Sequence, residues 1–479
     1  MRPHVIFRYV GIVLLFNALF LLIAAAIAGF NHASDFFPLL YSAIVAVLFG
    51  VFPLLFVPST TYISNDEGLV IVVSSWLLSC LIGVLPYILY GSELTFTNAW
   101  FESVSGFTTT GSSILTDVEA LPLGLLFWRS ATHWIGGIGI IVFVLAVLPS
   151  IGQAAMVLSR SEISPLAMDN FQHRTQKTLQ ILLVVYVGLT FLETISLRIC
   201  GMDVLDAATH SMATIATGGF STKNLSIAHF DSVAIEVVVI LFMILSGVHF
   251  GLLFLAATGN IRKIWQSASV RYYIGSMAVG TLLVMLSIHE EIYIKWLDAL
   301  RYAAFQIISL GTSTGFATSD TPVWPAFAIL IMIFFTLQCA CTGSTSGGIK
   351  AERMVIFWKS IRVRIAKLKH PKAIIPLKIE GAVVNDDVVT TSLLFIVAYI
   401  GIVFLATGFL TAFGVDLLSA FSGSAAAMGN VGPGFGMVSS LGNYSQLPVA
   451  GKWVLTVVML LGRLEIFGIF LFFMVKTWK

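Results

Sequence analysis

The sequence predicts an all-α integral membrane protein, and three observations carry this. Of 479 residues, 58% are hydrophobic and only 10% are charged, with a mean hydropathy of +0.95. A soluble domain carries about 25% charged residues, so this chain lacks the charge to cover a water-facing surface. Apolar runs of roughly 20 residues, long enough to cross a bilayer, recur along it. Between them lie polar strings containing glycine, at a period of about 100 residues, which argues for internal repetition. Runs of that length read as helices because a helix satisfies its own backbone; a barrel would show short alternating strands.

Ten spans are expected, at 5–29, 36–57, 68–91, 124–149, 178–200, 233–258, 270–288, 325–357, 388–413 and 449–475. The first is too long for the apolar region of a signal peptide and lacks a cleavage pattern, so it is expected to remain as a helix. Four linkers, near 92–123, 201–232, 290–324 and 414–448, each hold a half-length apolar piece followed by a Gly/Thr/Ser/Asn stretch. The four cysteines, Cys80, Cys200, Cys339 and Cys341, lie in or beside apolar segments without a CxxC pair and read as structural fillers.

Charge sets the sidedness. The connections 151–177, 259–271 and 359–387 hold thirteen Lys and Arg, including Arg160, Arg174 and Lys177, while the four linkers hold three. The positive-inside rule then places the basic connections and both termini in the cytoplasm, as an even number of spans requires. The linkers carry twelve acidic residues, among them Glu93, Glu102, Asp203 and Asp416. An acidic outer mouth concentrates cations and repels anions.

The half-length pieces end in comparable strings: GFTTTGSS (106–113), ATIATGGFST (213–222), SLGTSTGFAT (309–318) and AMGNVGPGFG (427–436). The chain therefore reads as four copies of helix, re-entrant half-helix, glycine strand, helix, with the first two helices outside the repeat. Irregular backbone at membrane depth is tolerated only when buried in protein or lining a watery path. Four such loops around one axis would aim carbonyl oxygens inward, where they replace the hydration shell of a monovalent cation. Glycine permits the positive φ this needs, and half-helix C-termini favour positive charge at the centre. A single such string is weak; the alternative for the set is four external turns without a pore.

With these residues in hand, the chain resembles the TrkH/TrkG family, the membrane subunits of bacterial Trk potassium uptake, related to KtrB and the plant and fungal HKT/Trk transporters. The resemblance rests on FESVSGFTTTG (101–111), HWIGGIGIIV (133–142), GMDVLDAATHSMATIATGGFST (201–222), TGSTSGGIK (342–350), NVGPGFG (430–436) and GRLEIF (462–467), and covers essentially the whole chain. It implies four M1–P-loop–M2 repeats around a central pore plus two extra N-terminal transmembrane helices, usually within a homodimer. The expected divisions are 1–60 for the helix pair and 61–165, 166–262, 263–380 and 381–479 for the repeats. The potassium selectivity filter it implies comprises Thr109, Thr110 and Gly111; Ser313, Thr314 and Gly315; and Asn430, Val431 and Gly432. The second loop fits in two registers, so Thr217, Gly218 and Gly219 are all candidates. Ala216 is then set against Thr109 as a position lacking a hydroxyl. One glycine per loop implies a shorter filter than that of a TVGYG channel, with looser sodium exclusion.

The eighth span breaks at Thr342, Gly343, Ser344, Thr345, Ser346, Gly347 and Gly348. The resemblance implies an intramembrane gate below the filter; the alternative is a kink at a packing contact. An enzyme reading fails. GSTSGGIK lacks the Gly-Lys-Ser/Thr of a phosphate loop, and the only histidine after Ser346 is His370, in the basic connection. Arg463, in the middle of the last span, costs several kcal/mol unless it faces polar groups. It is expected in the pore wall, bonded to carbonyls of 342–348; the alternative is a structural ion pair. His133 and His210 read as structural. The run Lys359–Lys378 reads as a solvated face able to touch anionic lipid or to dock a partner. The resemblance implies potassium as the transported ion and a cytosolic TrkA-type nucleotide-binding ring as partner. It implies no cofactor and no nucleotide site in this chain, no nucleic acid partner, and a place in the bacterial cytoplasmic (inner) membrane.

Overall fold

The computed structural model describes residues 2–58, 63–91, 94–147 and 175–474. The expected basic connection from 151, with Arg160 and Arg174, and the divisions at 60/61 and 165/166 fall outside those residues, as does Glu93. The expected ends of two spans, 148–149 and 475, fall outside them as well.

Two long helices open the chain, α1 (Pro3–Phe30) and α2 (Phe36–Phe56). They pack along each other so closely that a Cβ on Gly11 would lie 2.7 Å from the Gly50 carbonyl oxygen. The small residue is what allows the approach. After the pair, one pattern recurs. A long helix is followed by a half-length helix and an irregular stretch, and then by another helix, which in the first unit is α5 (Leu123–Val147). The half-length helices are α4 (Phe96–Phe107), α7 (Val204–Ile215), α12 (Trp296–Gly311) and α16 (Leu417–Gly429). The long helices before them are α3 (Asn65–Tyr90), α6 (Thr175–Ile199), α11 (Ala268–Ile288) and α15 (Asp386–Ala412). Each half-helix packs on the long helix that precedes it.

Among the described residues six helices are long and apolar enough to cross a membrane, and a bent pair would make a seventh. Their outer faces expose Phe30, Leu55, Phe191, Val397 and Leu405. Such a continuous apolar exterior suits lipid and no aqueous surface. The N-terminal pair joins a core with the first and last repeated units. A second core gathers the middle two.

Three expected spans are not continuous helices. The sixth, 233–258, is α8 (Val233–Ser246) and α9 (Phe250–Ala257), bent by 108° between them. The eighth, 325–357, is α13 (Ala326–Leu337) and α14 (Ala351–Lys369), joined by an irregular segment over 338–350. That break is wider than the 342–348 read from the sequence. The last is α17 (Val449–Arg463) and α18 (Ile466–Met474), broken at Leu464 and Glu465, whose φ is +54°. A short arm α10 (Arg262–Gln266) precedes α11, and a two-residue β-hairpin, Lys378–Ile379 with Ala382–Val383, follows α14.

Candidate functional site

The four half-helices end in one way. In each, a residue with left-handed backbone stops the helix: Thr109 (φ +52°), Thr217 (+54°), Ser313 (+57°) and Asn430 (+51°). The next N–H reaches back five residues, from Thr110 to Ser105, Gly218 to Ala213, Thr314 to Ser309 and Val431 to Ala426, at 2.8–2.9 Å. This is the Schellman arrangement, which satisfies carbonyls that the helix end leaves open. Two residues after each stop comes a glycine of positive φ: Gly111 (+78°), Gly219 (+79°), Gly315 (+82°) and Gly432 (+97°). Glycine suits that region; a threonine in it is an outlier, held by its surroundings.

These angles settle the register of the second loop. Thr217, not Ala216, corresponds to Thr109, and Gly219, not Gly218, corresponds to Gly111. The sequence reading set Ala216 against Thr109 because Gly218 and Gly219 are indistinguishable in a string. The structure separates them by contact. A Cβ on Gly218 would fall 2.3 Å from His133 Nδ1, so Gly218 is small to admit that imidazole. His133 also stacks on Phe220, centroids 4.1 Å apart, and His210 is bonded to Asp206 O at 2.7 Å and Ser221 Oγ at 2.8 Å. Both are packing and bracing groups here.

The four turns form a closed ring. A Cβ on Gly111 would lie 2.0 Å from the Gly218 oxygen, one on Gly219 2.0 Å from the Thr314 oxygen, and one on Gly315 2.0 Å from the Val431 oxygen. One on Gly432 would lie 2.6 Å from the Thr110 oxygen. Each glycine thus backs onto the carbonyl of the next turn, and the fourth returns to the first. No side chain fits at any of the four.

Side chains brace the ring unequally. The Thr108 and Thr110 hydroxyls are 2.7 Å apart, and those of Thr312 and Thr314 are 2.8 Å apart. Asn430 Nδ2 donates to Thr110 Oγ1 and to Met459 O, both at 3.0 Å. Tyr444 Oη and Ser112 Oγ donate to the Gly432 carbonyl at 2.6 and 3.0 Å. Behind the first two turns, Arg129 pairs with Glu102 at 2.8 Å, both fully buried. Its guanidinium also donates to the Ser221 carbonyl at 3.0 Å and lies 4.1 Å over the Phe220 ring. These braces were not legible as such. The Glu in FESVS and the Arg after Trp128 are single charges in separate apolar runs, and only pairing inside the fold makes them tolerable. At the outer ends of the half-helices, Asp203 and Asp416 cap Leu205 and Ser419 N–H groups. The Ser419 hydroxyl and N–H hold the Asp416 carboxyl below its ordinary range.

Next to the ring lies the 338–350 segment. Its neck is tied, with Cys339 N–H bonding Ile349 O at 3.0 Å, Ile349 N–H bonding Leu337 O at 3.1 Å and Ala351 N–H bonding Ala340 O at 3.0 Å. The helix cannot resume until the loop has closed, which is why the break exceeds the polar string. Gly343 (φ +75°) and Gly348 (+66°) make the turns. Gly347 N–H donates to Ser313 Oγ at 3.0 Å, and Thr345 Oγ1 donates to the Ile215 carbonyl at 2.9 Å. A Cβ on Gly347 would meet the Gly429 oxygen at 2.3 Å. Ser344 Oγ turns back to Cys341 O at 2.6 Å and Ser346 Oγ to Gly347 O at 3.3 Å. The loop thus touches the second, third and fourth units.

The bend of the sixth span belongs to this loop. Cys341 N–H donates to Gly247 O at 3.0 Å, and Phe250 N–H donates to Gly343 O at 3.2 Å. Backbone groups freed by the bend and by the loop satisfy one another. The signal was Gly247 beside His249, whose Nδ1 accepts the Gly251 N–H at 2.9 Å. The histidine beside the loop is therefore His249, against Gly343, and not His370, which ends α14.

Arg463 reaches the loop. Its Nη1 donates to the Thr345 carbonyl at 2.6 Å and its Nη2 to the Gly136 carbonyl at 2.8 Å. It is 3% exposed. Glu465 turns elsewhere, to Arg353 at 2.5 Å.

A family model described as a cation transport protein, TrkH, matches residues 39–478. The Trk system potassium uptake protein TrkH of Escherichia coli strain K12 is 35% identical over 421 residues, 87% of each chain. TrkG of the same organism is 32% identical over 421 residues, covering 86% of this chain and 85% of its own. The crystal structure of the potassium transporter TrkH from Vibrio parahaemolyticus superposes with a TM-score of 0.90 at 31% identity over 100% of both chains. The polar ring and the buried loop therefore sit in a membrane chain that belongs to the TrkH family of cation transport proteins.

Proposed function

We propose that this chain takes up potassium across the cytoplasmic membrane, through a filter made by the four turns. The observation that carries this is the closure of the ring, in which every glycine backs onto the carbonyl of the next turn. Converging carbonyls replace the hydration shell of a dehydrated monovalent cation without binding it too tightly to leave. The potassium named for the relatives above supports the choice of ion.

Entry is from the side carrying the acidic linkers, where Asp203 and Asp416 cap two half-helices. Release is past the 338–350 loop, which with Arg463 forms the gate. A guanidinium bonded to the Thr345 carbonyl puts fixed positive charge in the path and holds the loop. The unit divisions 61–165, 166–262, 263–380 and 381–479 follow the recurrence of half-helices. Cytoplasmic termini, a homodimer and a cytosolic TrkA-type nucleotide-binding ring complete the reading. A second reading keeps the same pathway but lets sodium permeate or couples uptake to sodium or protons. The single positive-φ glycine per turn favours it, since fewer ordered carbonyls give a filter less to discriminate with.

The test is growth of a potassium-uptake-deficient cell at low potassium, with and without Gly315→Ser. The intact chain, expressed with its partner, restores growth and the variant does not. No rescue by a well-expressed intact chain contradicts the proposal. Competition by sodium in flux assays separates the two readings.

A further inference from the structure

The N-cap and first turn of α14 carry three charged side chains that the gate reading leaves unused. Lys350 Nζ donates to the Ser346 carbonyl. Glu352 Oε2 accepts both the Thr342 N–H and the Thr342 hydroxyl at 2.7 Å. Arg353 pairs with Glu465 at 2.5 Å, its guanidinium 3.7 Å over the Phe395 ring. Glu465 occupies the break in the last span, two residues after Arg463, in a left-handed conformation. One helical turn therefore grips the loop at Thr342 and at Ser346, and grips the segment from which Arg463 reaches Thr345.

The loop from 342 to 348 has only hydroxyl and glycine side chains. It brings no apolar anchor of its own, so its position is set by polar ties. Bonds in which one partner is ionised are about twice as strong as neutral ones. Lys350 stands at the N-cap of α14, where the helix dipole disfavours a cation. Helix stability does not account for it, whereas its bond to Ser346 does. Beyond the first turn the same helix runs on to Lys369, with Arg362, Arg364, Lys367 and Lys369 exposed. A continuous helix moves as a rod, so displacement of that basic end reaches the first turn.

We propose that Lys350, Glu352 and Arg353 form a latch that positions the gate loop and couples it to the exposed basic end of α14. This rests on the loop being the gate. All three are positioning residues, since they act through the loop and through Glu465.

The test uses the purified full chain in proteoliposomes, with rubidium flux measured without any partner. The variants are Glu352→Ala, Glu352→Gln, Lys350→Gln and Arg353→Gln, with Arg463→Ala as the gate control. Glu352→Ala and Lys350→Gln raise basal flux roughly tenfold, equivalent to about 1.4 kcal/mol, while the half-saturating rubidium concentration stays at the parent value. A structural lesion in the ring would move that concentration. Glu352→Gln keeps an acceptor for Thr342 and leaks less than Glu352→Ala; it also serves if the alanine variant does not fold. Arg353→Gln combined with Glu465→Gln leaks no more than either alone, as expected for one shared contact. If Arg463→Ala leaks while the Glu352 and Lys350 variants stay at the parent level, the latch is overturned and the gate stands. If none leaks, the gate reading falls and the latch with it.

Discussion

The ring and the loop beside it are both irregular backbone buried among the helices, yet they are held in opposite ways. The ring uses one device four times: a left-handed helix stop, a bond reaching back five residues and a positive-φ glycine against the next turn. Its ties are largely backbone and mutually enclosing. The loop occurs once and is held by unlike side chains, Arg463, Glu352, Lys350 and Ser313, drawn from the ends of two helices and one turn of the ring. A backbone lattice with no spare volume resists deformation. Side-chain bonds break one at a time, each at modest net cost. The difference suits the fixed filter and the movable gate proposed above.

Substitutions sharpen that contrast because the two regions fail in opposite directions. The largest effect falls on the ring. Gly219→Ala places a methyl 2.0 Å from the Thr314 oxygen and forces alanine to φ +79°, itself a strain of roughly 1–2 kcal/mol. Rubidium uptake should drop to background. Arg463→Ala should do the reverse and raise leak about tenfold or more, since a hydrogen bond to a charged group contributes about 1.5–3 kcal/mol. Unchanged flux in that variant would remove Arg463 from the gate.

Ser313 joins the two regions, with its backbone in the ring and its hydroxyl on Gly347 N–H. Ser313→Ala keeps the backbone and loses the tie, so a few-fold leak is expected with ion preference intact, read from competition between potassium and sodium. Loss of preference would mean that the hydroxyl serves the ring instead. The smallest effect is at the outer cap. Asp416→Ala removes an N-cap, which costs on the order of 1 kcal/mol, and should lower the thermal unfolding midpoint slightly at neutral pH. The Asp416 carboxyl sits below its ordinary range, so its contribution is present above that range and is lost as pH falls through the depressed value. The gap between parent and variant should therefore close in acid; a constant gap would show that the carboxylate charge is irrelevant.

Length and apolar content made the helices legible, and recurrence made the four half-helices legible. The need of Arg463 for polar groups could be read because a charge in an apolar span demands such company. What escaped the sequence depends on contact. The choice between Gly218 and Gly219 needed His133, which is 85 residues away in the chain. The bend at Gly247–His249 looked like unbroken apolar helix, because the groups it frees are bonded by Cys341 and Gly343 from another span. The proposed latch turn lay inside the expected eighth span, 325–357, since Lys350, Glu352 and Arg353 carry no mark of where they point.

The central claim is that potassium is held by the carbonyls of the ring. Crystals of the full chain soaked in thallium, a potassium substitute visible by its anomalous scattering, test it most directly. The account predicts a peak on the ring axis, bounded by the carbonyls of Thr110, Gly218, Thr314 and Val431, and its loss in Gly315→Ser. A well-ordered ring without a peak, or bound thallium only elsewhere in the chain, would contradict it.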